Sequence, residues 1–230
     1  MNDKINTAAM KEEVSTMDNV TSSNKVAYLV IKRLFDIVMG LIGFIVLIPV
    51  IFIVKLAYVF NGDFHSIFFT QDRIGKDGKL FKFYKFRTMV PNADEILEKL
   101  LKEDKALAKE YKENKKLRND PRITKAGEFL RRLSLDELPQ VFNILKGDMA
   151  VIGNRPYLPR EIPDMGDAYD VIVSTKPGLT GYWQVHGRND VTFARRLELE
   201  KYYSEHYGFK MDVHIFFKTF KVVLIGRGAE

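Results

Sequence analysis

The chain has 230 residues, enough for one domain with an appendage, and its 36 Lys+Arg against 30 Asp+Glu give a formal net charge of +6. That excess suits an anionic partner: acidic lipid, nucleotide, phosphate or nucleic acid. The absence of cysteine excludes disulfides, thiolate metal sites and thiol catalysis, and His65, His186, His206 and His214 show no metal-binding spacing.

In chain order, residues 1–24 form a polar tail rich in Ser, Thr and Asn, without apolar periodicity. They do not form a signal peptide, because the apolar run comes late and no small-residue cleavage site follows it. Residues 25–60 hold that run. Ile37–Val54 reads IVMGLIGFIVLIPVIFIV, uncharged, with Lys32, Arg33 and Asp36 before it and Lys55 after. As one helix it would extend about 27 Å, barely the hydrocarbon thickness of a bilayer. Pro49 interrupts it, with Gly40 and Gly43 upstream. Two topologies compete: a helix that enters, breaks at Ile48–Pro49 and returns to the same face, or a tilted span that tolerates its proline. A buried helix of a soluble protein fits less well, since the run is apolar on all faces. Membrane attachment is the common expectation.

From residue 61 to 230 the pattern becomes α/β, of the α+β kind. Ser66–Gly75 and Leu80–Met89 read as strands joined around Lys76-Asp77-Gly78-Lys79. A two-residue period puts Phe81, Phe83, Lys85 and Arg87 on one face, which aims Lys85 and Arg87 together towards a phosphate or towards solvent. Pro91 and Asn92 then open one helix with an apolar stripe from Ile96 to Tyr111. A short helix, Gly127–Leu133, leads into Ser134-Leu135-Asp136-Glu137-Leu138-Pro139-Gln140. Ser134 and Glu137 have the spacing of a capping box at a helix start, and Pro139 is tolerated in a first turn. Asp136 and Glu137 would then lie in that first turn, where the helix field favours negative charge and attracts phosphate. For the ten residues Arg131–Gln140 taken alone, helix capping is the sufficient account.

The next helix ends at Gly147, and an apolar strand ends in Gly153-Asn154-Arg155-Pro156. Arg155, on a loop, suits an anion or a structural carboxylate. Lys176 and Arg188 bracket Trp183 in a second glycine-rich stretch. A helix begins near Thr192, and Asp212–Ile225 reads as a core helix or, preferably, as one lying in the lipid interface.

Taken in order, the proline-broken apolar segment, KFRTM, NDPRITKAGEFLRRLSLDELPQ, GNRP and PGLTGYWQVHGR closely resemble the bacterial sugar transferases, the monotopic phosphoglycosyl transferases. The resemblance covers about residues 30–225. It implies a membrane-associated catalytic domain with a re-entrant helix and interfacial helices, at the cytoplasmic face of the inner membrane. The implied reaction moves a sugar-1-phosphate from a UDP-sugar to undecaprenyl phosphate, releases UMP and begins exopolysaccharide or capsule synthesis. It implies Asp136 as nucleophile, Glu137 as ligand to Mg²⁺, and Lys85, Arg131, Arg155 and Arg188 as phosphate and nucleotide contacts. Glu200 stands where the family often has Asp, and Asn154 where many relatives carry proline. Self-association is compatible with this reading, and nucleic acid is not an expected partner. The competing expectations are a membrane-associated glycosyltransferase that releases UDP and a non-enzymatic, membrane-anchored basic adaptor.

Overall fold

A computed structural model describes residues 22–115, 117–187 and 191–225, so most of the polar tail and Arg188 lie outside the described residues. The fold is helix-rich α+β, built on one long apolar helix, α1 (Ser22–Phe60, 39 residues). At 1.5 Å per residue it is about 58 Å long, well beyond a bilayer core. It passes through Pro49 as a single helix, so the separation into two pieces expected at Ile48–Pro49 is not seen.

One face of α1 docks on the rest of the chain from end to end. Near its start, Tyr28 donates a 2.7 Å hydrogen bond to Asp212, Lys32 pairs with the same carboxylate, and Asp36 accepts from the Val151 amide at 2.7 Å. Arg33 donates to the carbonyls of Ile144 and Leu145 at 2.7 and 2.8 Å. At Gly40 and Gly43 a Cβ would come within 2.8 Å of Leu145 and 2.6 Å of Val141, so missing side chains are what let the helices approach. Further along, Leu47, Val54 and Tyr58 are buried with Ile67, Phe86, Leu130 and Val141. The opposite face, including Leu34, Val38, Ile45, Phe52 and Ile53, stays exposed. So large a continuous apolar surface marks a membrane contact.

Strands β1 (Phe68–Ile74) and β2 (Leu80–Phe86) form the expected antiparallel hairpin, turning through Lys76–Gly78. The single helix expected after Pro91 is two, α2 (Ala93–Glu103) and α3 (Lys105–Asn114). The break is local chemistry: Asp104 leaves the helical conformation and its carboxylate caps the amides of Ala106 and Leu107. Helix α4 (Lys125–Arg132) is capped by Thr124, and α5 (Val141–Lys146) ends at Gly147 with φ 92°. Between them lies a 3₁₀ segment, Leu135–Gln140.

Strands β3 (Ala150–Ile152) and β4 (Gly178–Thr180) pair in parallel. A Cβ on Gly178 would fall 2.1 Å from the Gly153 nitrogen, so these glycines serve the approach of backbone to backbone. Short helices α6 (Ile162–Met165), α7 (Ala168–Val173) and α8 (Tyr182–His186) connect to α9 (Phe193–His206), which starts at its Thr192 cap as expected. The last helix, α10 (Phe209–Ile225), is not purely interfacial. Met211 and Ile215 lie in the core with Phe83, Ile152 and Tyr203, while Phe209, Phe217 and Phe220 are exposed.

Candidate active site

The residues from Ser134 to Gln140 do not adopt the expected capping box. Ser134 takes a left-handed conformation (φ 55°) and its side chain makes no capping hydrogen bond. This sharp corner redirects the chain out of α4 and into the 3₁₀ segment, which packs against β2. Asp136 is buried to 7 % exposure. The Glu137 side chain is 41 % exposed.

Lys85, near the end of β2, joins the two acids. Its ammonium lies 3.3 Å from Asp136 Oδ2 and 3.1 Å from Glu137 Oε1. The position of β2 against α5 is set by Asn143, which has no exposed surface. Its amide nitrogen donates to the Lys82 carbonyl at 2.6 Å, and its oxygen accepts from the Tyr84 amide at 3.2 Å. In the sequence Asn143 shows only as a lone amide inside the apolar run Val141–Leu145.

Arg87 does not accompany Lys85. It binds both Asp63 oxygens at 2.9 Å and the carbonyls of Ser66 and Met89, because the strand has already ended at Phe86. Arg131 donates to the Thr88 hydroxyl at 2.9 Å, fixing the start of the same loop. Its contact is therefore beside the dyad's strand and not on the dyad.

Arg155 and Glu200 belong to a second cluster. Glu200, at 0 % exposure, accepts from the Arg155 amide at 2.7 Å. The Arg155 guanidinium is 3.7 Å from Glu161, whose other oxygen accepts from the Leu158 amide at 2.7 Å. Burial pushes the Glu200 carboxyl up to about 7, although Tyr157, the Arg155 amide and the guanidiniums of Arg155 and Arg196 oppose the rise. Arg73, equally inconspicuous in the sequence, donates to the Pro156 carbonyl at 2.9 Å. The strand register puts Arg73, Phe83 and Lys85 on one face of the hairpin. Arg73 and Lys85 approach the Phe83 ring to 5.2 and 5.7 Å, so this ring lies between the clusters.

The arrangement suits displacement at phosphorus: a buried carboxylate, an accessible carboxylate beside it, and the Lys85 ammonium on the facing strand. Among the described residues no group of three or more His, Cys, Asp or Glu is arranged to hold a metal. Mg²⁺ fits this donor set nonetheless, since it commonly takes one or two carboxylates and completes its shell with substrate phosphates and water. The Lys85 ammonium between Asp136 and Glu137 shows that the acids converge on a cation.

These features define a membrane-docked α+β domain whose paired carboxylates face a lysine on the neighbouring strand. The chain belongs to the bacterial sugar transferase family, whose model matches residues 27–226. It is 44 % identical over 199 residues to the undecaprenyl-phosphate galactose phosphotransferase of Salmonella typhimurium, covering 86 % of this chain and 41 % of that protein. It is 40 % identical over 198 residues to the exopolysaccharide production protein ExoY of Sinorhizobium fredii, covering 86 % of this chain and 87 % of that one. The UDP-glucose:undecaprenyl-phosphate glucose-1-phosphate transferase of Escherichia coli is 33 % identical over 197 residues, with 82 % and 39 % covered. The chain therefore spans about two fifths of the longer relatives and most of ExoY.

Proposed function

We propose that this protein transfers a sugar-1-phosphate from a UDP-sugar to a polyprenyl phosphate at the cytoplasmic face of the plasma membrane, as the first step of exopolysaccharide or capsule assembly. The observation that carries the reading is the buried Asp136 beside the accessible Glu137, both bound by Lys85. In the first half-reaction an Asp136 oxygen bonds to the sugar-bearing phosphorus. The bond from that phosphorus to the bridging oxygen breaks, and UMP departs. In the second, a phosphate oxygen of the lipid attacks the same phosphorus and frees the carboxylate, which makes the kinetics ping-pong.

Lys85 holds Asp136 in place and balances charge gathering on the phosphoryl oxygens. Glu137, with the donor's diphosphate, would hold Mg²⁺, which supplies charge neutralisation when bound. Arg155 and Arg131 are assigned to the donor's phosphates and to the loop that receives them, and Arg188 remains a candidate nucleotide contact. Glu200 acts through the Arg155 amide as a positioning residue. The membrane arrangement follows from α1. Tyr28 and Tyr58, near its two ends, both bind the same domain, through Asp212 and the Arg87 carbonyl, so α1 is assigned a monotopic seat with both ends on one side.

The test is UMP release by detergent-held protein given Mg²⁺, undecaprenyl phosphate and a panel of UDP-sugars, with Asp136→Asn alongside. UMP from one donor, reduced about 10³-fold or more in the variant, is expected for a lost nucleophile. UDP as the product, or an active variant, would overturn the mechanism.

A further inference from the structure

Asn154 lies just beyond β3 and immediately before Arg155, and nothing in the proposed chemistry has used its side chain, which is buried to 2 % exposure. Its amide nitrogen lies 2.6 Å from the Ser204 hydroxyl, 3.1 Å from the Thr175 hydroxyl and 3.2 Å from the Ile172 carbonyl, so its N–H groups are shared among three acceptors. Thr175 and Ser204 are buried as well, with their hydroxyls 3.4 Å apart. Three segments distant in sequence thus meet on one amide: the exit of β3, the end of α7 with the residues after it, and α9. The same face of α9 holds the next residue. Glu200 stands one helical turn before Ser204, and its carboxylate accepts from the Arg155 amide at 2.7 Å. Beyond Arg155 the main chain stays pinned. The Pro156 carbonyl accepts from Arg73 at 2.9 Å, the Tyr157 carbonyl from the Ile74 amide at 2.9 Å, and the Leu158 amide donates to Glu161 at 2.7 Å. The Arg155 side chain is the exception. Among the described residues its guanidinium pairs with one carboxylate, Glu161 at 3.7 Å, which is longer than a hydrogen bond, and the side chain keeps 25 % of its surface exposed.

We infer that the hydrogen bonds joining Asn154, Thr175 and Ser204 form a latch that positions Arg155 for the diphosphate of the nucleotide donor, with Asn154 a positioning residue that acts through Arg155. The inference rests on the reading that Arg155 meets the donor's phosphates. Physical chemistry favours it over a purely structural role for the amide. Burying polar groups costs desolvation that an apolar residue of the same shape avoids, so such a cluster adds little net stability. What it supplies is direction, because a satisfied hydrogen-bond network admits one arrangement where apolar packing tolerates several. Asn154 adjoins the residue of this loop whose guanidinium keeps its donors uncommitted, so any error in its own placement passes to that guanidinium. An arginine meets a phosphate through a fork of paired hydrogen bonds, and a displacement on the order of 1 Å breaks that geometry. A fixed main chain carrying an accessible guanidinium lowers the cost of ordering the contact when the anion arrives.

The test is a double-mutant cycle read by UDP affinity. UDP is titrated, with Mg²⁺ present, into detergent-held wild type, Asn154→Ala, Arg155→Gln and the double variant. Asn154→Ala is expected to weaken UDP binding about tenfold, and the same change beside Arg155→Gln to cost less than about twofold. A tenfold loss in both backgrounds would overturn the inference, since Asn154 would then not act through Arg155. Unchanged UDP affinity in folded Asn154→Ala would overturn it as well. Where Asn154→Ala does not fold, Ser204→Ala removes the 2.6 Å contact alone. An about threefold loss that again vanishes beside Arg155→Gln is expected there, and no loss would refute the latch. UDP binding that obeys the cycle without UMP release from any donor would defeat the proposed function and leave the latch standing. Wild-type protein that does not bind UDP would defeat both.

Discussion

Replacement of Glu200 by glutamine gives a prediction whose size comes from burial. The carboxyl has no exposed surface, and burial raises it from 4.5 to about 7. A raised carboxyl binds its proton more tightly in the folded state than in the unfolded one. The corresponding stability is therefore fully present below pH 4.5 and is lost as the pH rises through about 7. At about 1.4 kcal/mol per pH unit, that interval amounts to roughly 3 kcal/mol. Glu200→Gln retains an oxygen for the Arg155 amide but cannot titrate. Thermal unfolding of both proteins should be followed in one detergent from pH 4.5 to 8. The stability of wild type relative to the variant should fall by about 3 kcal/mol over that range, a relative change in Tm of roughly 6–12 °C for a chain of this size. Parallel profiles would refute the reasoning, since they would mean that the folded protein does not raise the Glu200 carboxyl.

Lys85→Gln leaves Asp136 and Glu137 adjacent without their shared cation. Because Glu137 is partly exposed and solvent screens it, the stability cost should be about 1–2 kcal/mol, read as a lower Tm, while UMP release falls about 10²-fold. Gly127→Ala puts a Cβ 2.0 Å from the Thr88 carbonyl oxygen, a backbone atom that cannot turn aside. The start of α4 must lift away, and a loss of about 3 kcal/mol or more should appear as poor yield and early unfolding. Chelation by EDTA should abolish turnover and leave Tm unchanged, because Mg²⁺ is assigned to the donor complex and not to the fold; a large drop in Tm would place the metal in the structure instead.

Much of this protein is legible in its amino-acid sequence, because the relevant signals are local. The apolar length and composition of residues 37–54 announce the membrane helix, the turn at Lys76–Gly78 the hairpin, and Thr192 the start of α9. Asp136 and Glu137 are conspicuous as neighbours in one short stretch. The misreadings are failures of local rules in the presence of neighbours. Ser134 has the spacing of a cap, but the chain must turn sharply between α4 and the 3₁₀ segment, and it takes a left-handed corner there instead. The single helix expected after Pro91 breaks at Asp104, since its carboxylate accepts from the Ala106 and Leu107 amides more favourably than the residue continues the helix. Arg87 shares the period of Lys85 but lies beyond the strand's last paired residue, where Asp63 captures it.

The linear chain dictates an inventory: an apolar helix, a pair of acids, and basic residues in separate stretches. Which of these meet is a matter of tertiary packing. Lys85 reaches Asp136 and Glu137 from about fifty positions away because Asn143 fastens β2 to α5. Arg155 and Glu200 instead join a different cluster, with Arg73 between the two across the Phe83 ring. Leu130 on α4 is buried because α1 docks along its whole length, bringing Val54 and Tyr58 into the same cluster. Helix periods and turn residues act over a few positions, whereas contacts between distant segments depend on how whole faces pack, and that information is spread over the entire chain.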